Sequence, residues 1–486
     1  MTRTNRQTNQ SQGILHAGAV GFSQAYRIGR LGLSLYREVW TPGTLLNGFV
    51  LTSFGQVGFV ISGYLIHICL AHLLGPEDYG LYGVVISIVV WIETCLTVGL
   101  LTTAYKGISE RPQSVVSIAW HYGRDVTFFA VILLGVVFLM AKLVATTLGD
   151  MRITWLLPIA SVDLLFFGLY RLSLTVQSGL RQFHHHAAIH LTYSAAKVAA
   201  IIIPVWLGFS VLGGLIGNII ASVVAMAVGL SYLNRLRYVN TSQTNMVAGL
   251  RDNLGMVVAV SISSLGHILF ISADLWIIKA YTSATLTGQY LAALTVARLF
   301  LMVTLPLRNI LMPFIAGPMQ SGNTTAVRHA LRHVLLLFFL VVFPALGIVI
   351  ITANPIMDYF FSAAYVPGAP FLRVLAVGYV FASLAQIFST FLLSLGRAWL
   401  ACGLEIGCGL ISLPLYFWSI QTFGPTGVPY VLAVMSFGTA ICGATIVRQV
   451  IISRVGRWHE ETVQASGSEA VHRISNAPAK QILHET

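Results

Sequence analysis

Glu93, Lys142, Asp163, Arg171, Lys197, Asp274, Arg298 and Glu405 are ionisable residues set within long apolar stretches of the chain. At the centre of a bilayer each costs on the order of 3 kcal/mol unless paired or wetted, so such groups bind one another or line a water-filled cavity. Lys197 and Arg298 stand near the middle of their stretches, where a cation can meet a pyrophosphate or an acidic sugar. Arginine suits that task because its planar fork grips phosphate oxygens in pairs and never loses its proton. The competing role is a salt bridge, to Asp163 or Asp274, that only holds helices together. Arg171 and Arg181 join the candidate substrate-binding set from nearer the ends of their stretches, where, like Lys142, they can also snorkel to headgroups. His267, beside Ser261, Ser263, Ser264 and Ser272, completes that set with the amides of Gln56 and Gln386, which suit sugar hydroxyls and neighbouring helices alike. Glu93, Asp163 and Asp274 are the candidate ion-coupling groups, since a carboxylate in a half-dry cavity can exchange a proton.

The elements that position these groups are membrane helices. Mean hydropathy is +0.80, charged residues are 9% and hydrophobic residues 56%, against about a quarter charged in a soluble domain. Hydropathy gives about twelve spans, near 47–72, 82–103, 126–148, 153–175, 187–209, 211–233, 256–280, 286–309, 334–354, 371–395, 399–422 and 426–449. Lys106, Arg111, Arg124, Arg181, Arg235, Arg237, Arg251, Arg328, Arg332 and Arg397 gather on every second loop, while the others carry little beyond Arg152, Lys279 and Arg373. The positive-inside rule then puts the basic loops and both tails in the cytoplasm. The net charge of +12 therefore reports topology rather than a nucleic-acid partner. Residues 1–13 are polar and no cleavable signal is expected, so the first span serves as its own insertion signal.

Ile28, Leu31, Leu35 and Val39 share a helical face opposite Arg27, Arg30 and Arg37, which predicts an interfacial amphipathic helix within the cytoplasmic tail 1–44. The remaining divisions are an N-lobe at 45–235, a linker at 236–255, a C-lobe at 256–450 and a disordered tail at 451–486. No metal site is expected: His184, His185 and His186 are consecutive and point apart on a helix, and the five cysteines lack paired spacing. No cofactor is implied, and neither a phosphate-binding loop nor a catalytic signature appears, so the chain is not expected to be an enzyme.

A weak internal repeat runs through the chain. Gly80 and Tyr82, in the first turn, align with Gly288 and Tyr290; the turn at Phe209–Gly213 falls on Phe423–Gly427, and Arg181 on Arg397 within a few residues. Six spans per half make the repeat parallel, about an axis along the membrane normal, with a cavity between the halves. In the turns Leu74-Gly-Pro-Glu-Asp-Tyr-Gly-Leu-Tyr82 and Gly179-Leu-Arg-Gln-Phe183 the chain resembles the polysaccharide flippases, Wzx-like proteins of the multidrug/oligosaccharidyl-lipid/polysaccharide exporter superfamily, over nearly all of 45–450. The resemblance implies an all-α, V-shaped, two-lobed bundle that moves an undecaprenyl-diphosphate-linked oligosaccharide across a bacterial inner membrane, with membrane lipids and the polysaccharide polymerase and glycosyltransferases as partners. About twelve spans favour O-antigen, capsule or exopolysaccharide over lipid II. The alternative within the superfamily is a drug or metabolite antiporter.

Overall fold

A computed structural model describes residues 45–237, 254–305, 307 and 324–475. Residues 1–44, with the expected interfacial helix, and most of the linker at 236–255 lie outside these. Every regular element among the described residues is helical, as lipid demands of a chain whose backbone must satisfy its own hydrogen bonds.

The first helix, α1 (Leu45–Glu110), has 66 residues and would reach about 100 Å if straight, more than twice a bilayer. It breaks at Gly75, with φ 69° and ψ 174°, just before Pro76. Its two arms double back, since Thr52–Ile61 and Thr97–Tyr105 line one cavity. Then come α2 (Val115–Thr147), α3 (Ile153–Ser161), α4 (Asp163–Gly179), α5 (Phe183–Pro204) and α6 (Ser210–Arg237). The second half holds α7 (Leu254–Phe270), α8 (Ala273–Tyr281), α9 (Ala284–Ala297), α10 (Thr324–Ile351), α11 (Ala353–Phe361), α12 (Ala369–Ser394), α13 (Ala398–Phe423) and α14 (Gly427–Ser475).

Among the described residues, eight continuous helical stretches are long and apolar enough to cross a membrane, and those at 50–110, 183–234 and 398–451 are each far longer than one crossing needs. The helix α14 runs to Ser475, past the boundary at 450 where a disordered tail was expected. Residues 451–475 contain no proline, and Arg, Glu, Gln and Ala among them are good helix formers.

Two packed groups form. In the first, α1 lies against α4 and α5, and α6 packs on both of those; in the second, α7 packs on α13, and α12 on α14. The groups meet where α1 crosses α7 and α9. At that crossing a Cβ on Gly80 would lie 2.7 Å from the Gly288 nitrogen, and one on Gly288 would collide with the Pro76 carbonyl oxygen. The two glycines of the sequence repeat therefore touch each other.

The helix ends repeat as well. After α4, Leu180, Arg181 and Gln182 donate backbone bonds to Val176, Ser178 and Gln177; after α12, Leu395, Gly396 and Arg397 donate to Phe391, Leu393 and Leu392. Both turns close through a left-handed residue, Arg181 at φ 58° and Gly396 at φ 73°. The counterpart of Arg181 is thus Gly396, one residue before Arg397. Likewise Ser210 (φ 48°, ψ −140°) matches Gly424 (φ 66°, ψ −159°).

Candidate functional site

Between the halves lies a cavity of about 680 Å³. Its walls are mainly apolar, with polar groups set in them at helical spacing: Thr52, Ser53 and Gln56, then Thr97 and Thr102, on the arms of α1; Arg171, Thr175 and Ser178 on α4; and His186 and His190 on α5; Leu299, Met302 and Val303, just beyond α9, form an apolar side. None of the described lining residues is acidic. Arg171 is exposed to this space. The His186 Nδ1 lies 2.8 Å from the Ser178 hydroxyl and 3.2 Å from the Leu174 carbonyl. The hydroxyls of Thr52, Thr97, Thr102 and Thr175 donate to carbonyls of their own helices and so present acceptor oxygens, while the Gln56 amide and the Arg171 guanidinium are donors suited to sugars and anions.

Of the sequence candidates, Arg171 and Gln56 line this cavity. Arg181 sits outside it, closing α4 as an exposed residue. Lys197 lies further along the α5 stripe of His186, His190 and Tyr193, about 16 Å from His186 by helical rise. Its ammonium donates to the Tyr193 hydroxyl at 3.3 Å and faces Glu93 and Asp163 electrostatically. Both carboxylates are buried, and the Asn218 amide donates to Asp163 Oδ2 at 2.5 Å.

Arg298 precedes the lining residue Leu299 but does not itself line the cavity. Helix α7 ends at Phe270 and α8 starts at Ala273, so the break frees main-chain carbonyls deep in the bundle. Arg298 Nη2 donates to the Ile271 carbonyl at 2.5 Å and Nε to the Tyr379 hydroxyl at 3.2 Å, while Tyr379 and Tyr416 donate to the carbonyls of Ile271 and Phe270. Arg298 is thus bonded to neutral oxygens that repair a broken helix. Asp274 accepts the Tyr290 hydroxyl and its neighbour Leu275 N–H, both at 2.8 Å. His267 and Gln386 meet each other at 2.9 Å, and Gln386 and Ser389 both donate to Glu405. His267, Gln386 and Glu405 line a pocket of about 20 Å³, apart from the large cavity and about the size of one water.

The opposite end of the seam is closed. The Tyr365 hydroxyl donates to the Ala71 carbonyl at 2.8 Å, Tyr79 pairs with Thr295 at 3.2 Å, and the Trp276 indole donates to Ser87 at 2.8 Å. Beyond these, Lys279 pairs with Asp150 at 2.9 Å, and Arg152 with Asp78, Glu77 and Asp150 at 2.9, 3.1 and 3.0 Å. Burial pushes the Asp150 carboxyl up, but the hydrogen bonds from Arg152 and Lys279 outweigh it and hold the group at about 2.

The sequence reading missed His186 and His190 as cavity residues, although their spacing of four puts them on one face. It also missed the hydroxyl stripes, which are ordinary in membrane helices, and the joining of Lys279 to Asp150, which no local pattern encodes.

Helices in two repeated halves, around an apolar-walled cavity with polar groups set in it, define a membrane transporter fold. An inward-facing multidrug resistance MATE family transporter of the MOP superfamily has a TM-score of 0.69 at 15% identity, over 84% of this chain and 99% of that one. An outward-facing structure of such a transporter scores 0.66 at 15%, over 84% and 96%. A MOP superfamily transporter from Pyrococcus furiosus gives the same figures as the outward-facing one. No curated protein matches the sequence significantly. The chain belongs to the family of polysaccharide biosynthesis proteins, whose profile matches residues 69–370.

Proposed function

We propose that this protein is a flippase. It carries an undecaprenyl-diphosphate-linked oligosaccharide from the cytoplasmic to the periplasmic leaflet of a bacterial inner membrane, for O-antigen, capsule or exopolysaccharide synthesis. The observation that carries the reading is the one-signed lining of the cavity. Arg171 offers a bidentate grip on the diphosphate, the hydroxyls and Gln56 offer bonds to sugars, and none of the described lining residues is a carboxylate that would repel the headgroup or attract a cationic drug. The Pyrococcus furiosus neighbour is itself described by a reversed polarity of its binding pocket, suggesting a different function. Family membership supports glycan over drug.

In this reading the tails face the cytoplasm and the headgroup enters from the end that carries Arg181, while its lipid tail stays in the bilayer. The membrane potential favours the move, by about 2.3 kcal/mol per 100 mV for each negative charge exported. Glu93 and Asp163, with Lys197 beside them, are the groups placed to add ion coupling. Arg298 supports the cavity from behind and reaches substrate only if the broken helix rearranges. The polymerase and glycosyltransferases of the pathway are the expected partners.

The test is deletion in the native host with complementation by wild type, Arg171→Ala or Arg298→Ala, measuring surface glycan and the inner-leaflet pool of lipid-linked unit together. Loss of surface glycan with accumulation of that unit, repaired by wild type but not by Arg171→Ala, is expected. Unchanged glycan with altered susceptibility to cationic drugs would sink the flippase and promote the antiporter.

A further inference from the structure

Among the described ion pairs, Lys279 with Asp150 is the one that joins the first half to the second. It sits at the closed end, with side chains only 5% and 9% exposed. The other bonds named across that seam, from Tyr365, Tyr79 and Trp276, are between neutral groups. Each of these exchanges for a bond to water at a net cost of about 1 kcal/mol.

The two arms of the pair differ in how they are held. Asp150 is fixed: Arg152 donates to it through its backbone N–H, its Nε and its Nη2. Arg152 is itself held by Asp78 and Glu77, and the Ser210 hydroxyl donates to Asp78 at 2.8 Å. Lys279 instead rides on α8, a nine-residue helix that starts after the break at Ile271 and Ser272. On separation Asp150 keeps Arg152, and the Lys279 ammonium passes into water. Neither charge is left buried and alone, which is the outcome that makes breaking a buried pair costly.

We propose that the Lys279–Asp150 pair is the latch of the outward gate, holding the halves shut while the cavity is open at the other end and parting when the cavity opens outward. The purpose of the latch rests on the transport reading above. Its mechanics do not.

The test is a distance measurement by pulsed electron resonance on the full chain in nanodiscs. Spin labels replace Met151 and Tyr281, exposed residues beside the two arms. Wild type and Lys279→Arg should give a predominant short distance with a small long-distance population. Lys279→Met and Asp150→Asn should each raise the long-distance population about tenfold, or about 1.4 kcal/mol. The double variant should do no more than either single one, because both remove the same interaction. An unchanged distribution in Lys279→Met, or effects that add, overturns the latch. If Lys279→Met fails to fold, Asp150→Asn against Lys279→Arg decides the matter. Flipping of a lipid-linked glycan in liposomes, measured on the same proteins, separates the two ideas: latch behaviour without flipping in wild type removes the transport reading and leaves the gate.

Discussion

The first half closes α4 through Arg181 and enters α6 through Ser210, where the second half uses Gly396 and Gly424 in the same backbone conformations. Left-handed backbone costs an L-residue roughly 1–2 kcal/mol that glycine avoids, so at these two turns the first half is the more strained copy, while the second half carries a like strain at Ser362 (φ 106°). At Ser210 the side chain has work: its hydroxyl donates to Asp78 and steadies the network around Arg152. At Arg181 only the backbone N–H is bonded, to Ser178, and no side-chain partner among the described residues accompanies the strain. One fold, written twice, shows where a side chain has been kept against the backbone's preference.

The largest effect expected is at the crossing of the halves. Gly288→Leu should lower stability by about 3 kcal/mol or more, because the new Cβ meets backbone rather than a yielding side chain. Gly403→Ala, where nothing lies within 4 Å, should be neutral or gain up to about 1 kcal/mol of helix stability. Thermal unfolding in detergent compares them, and equal losses would remove the crossing from the account. A smaller effect separates the two strained turns. Arg181→Gly should gain about 0.5 kcal/mol, relief of backbone strain set against the greater freedom of an unfolded glycine. Ser210→Gly should gain nothing, having lost its bond to Asp78; a gain at both would make the two turns equivalent.

The least change is expected with pH. The Asp150 carboxyl is held at about 2, below its ordinary 3.8. A lowered carboxylate gives its full stabilisation above the ordinary value and loses it as pH falls through the folded one. The short distance across the latch should therefore hold from neutrality to about pH 4 and give way only toward 2. Opening near neutrality would show that another group governs the seam.

Much of the fold was legible because lipid imposes a coarse rule: long apolar runs must be helices, and glycine with proline marks their ends. The repeat was legible from Gly80 and Gly288. The facing of polar residues was less so. Arg171 and Gln56 fell in the cavity, but His267 and Gln386 found each other, and Arg298 found a carbonyl freed by a helix break between Phe270 and Ala273 that hydropathy passes over. Gly403 and Gly407 stand four apart, a spacing that lets helices approach closely, yet neither has a neighbour within 4 Å, and Gly409 takes that role against Gly266. Which face of an apolar helix meets another depends on distant segments, and periodicity is silent when every face is apolar.

The contact of Gly80 with Gly288 has a bearing on ancestry. A residue that touches its own counterpart lies on the symmetry axis, as in an isologous dimer. If the two halves descend from one half-length chain that paired with itself, a single glycine codon once supplied both sides of this contact, and any change there struck twice. Fusion into one chain released the two positions to vary separately. Both still hold glycine, because each remains the wall against which the other is packed.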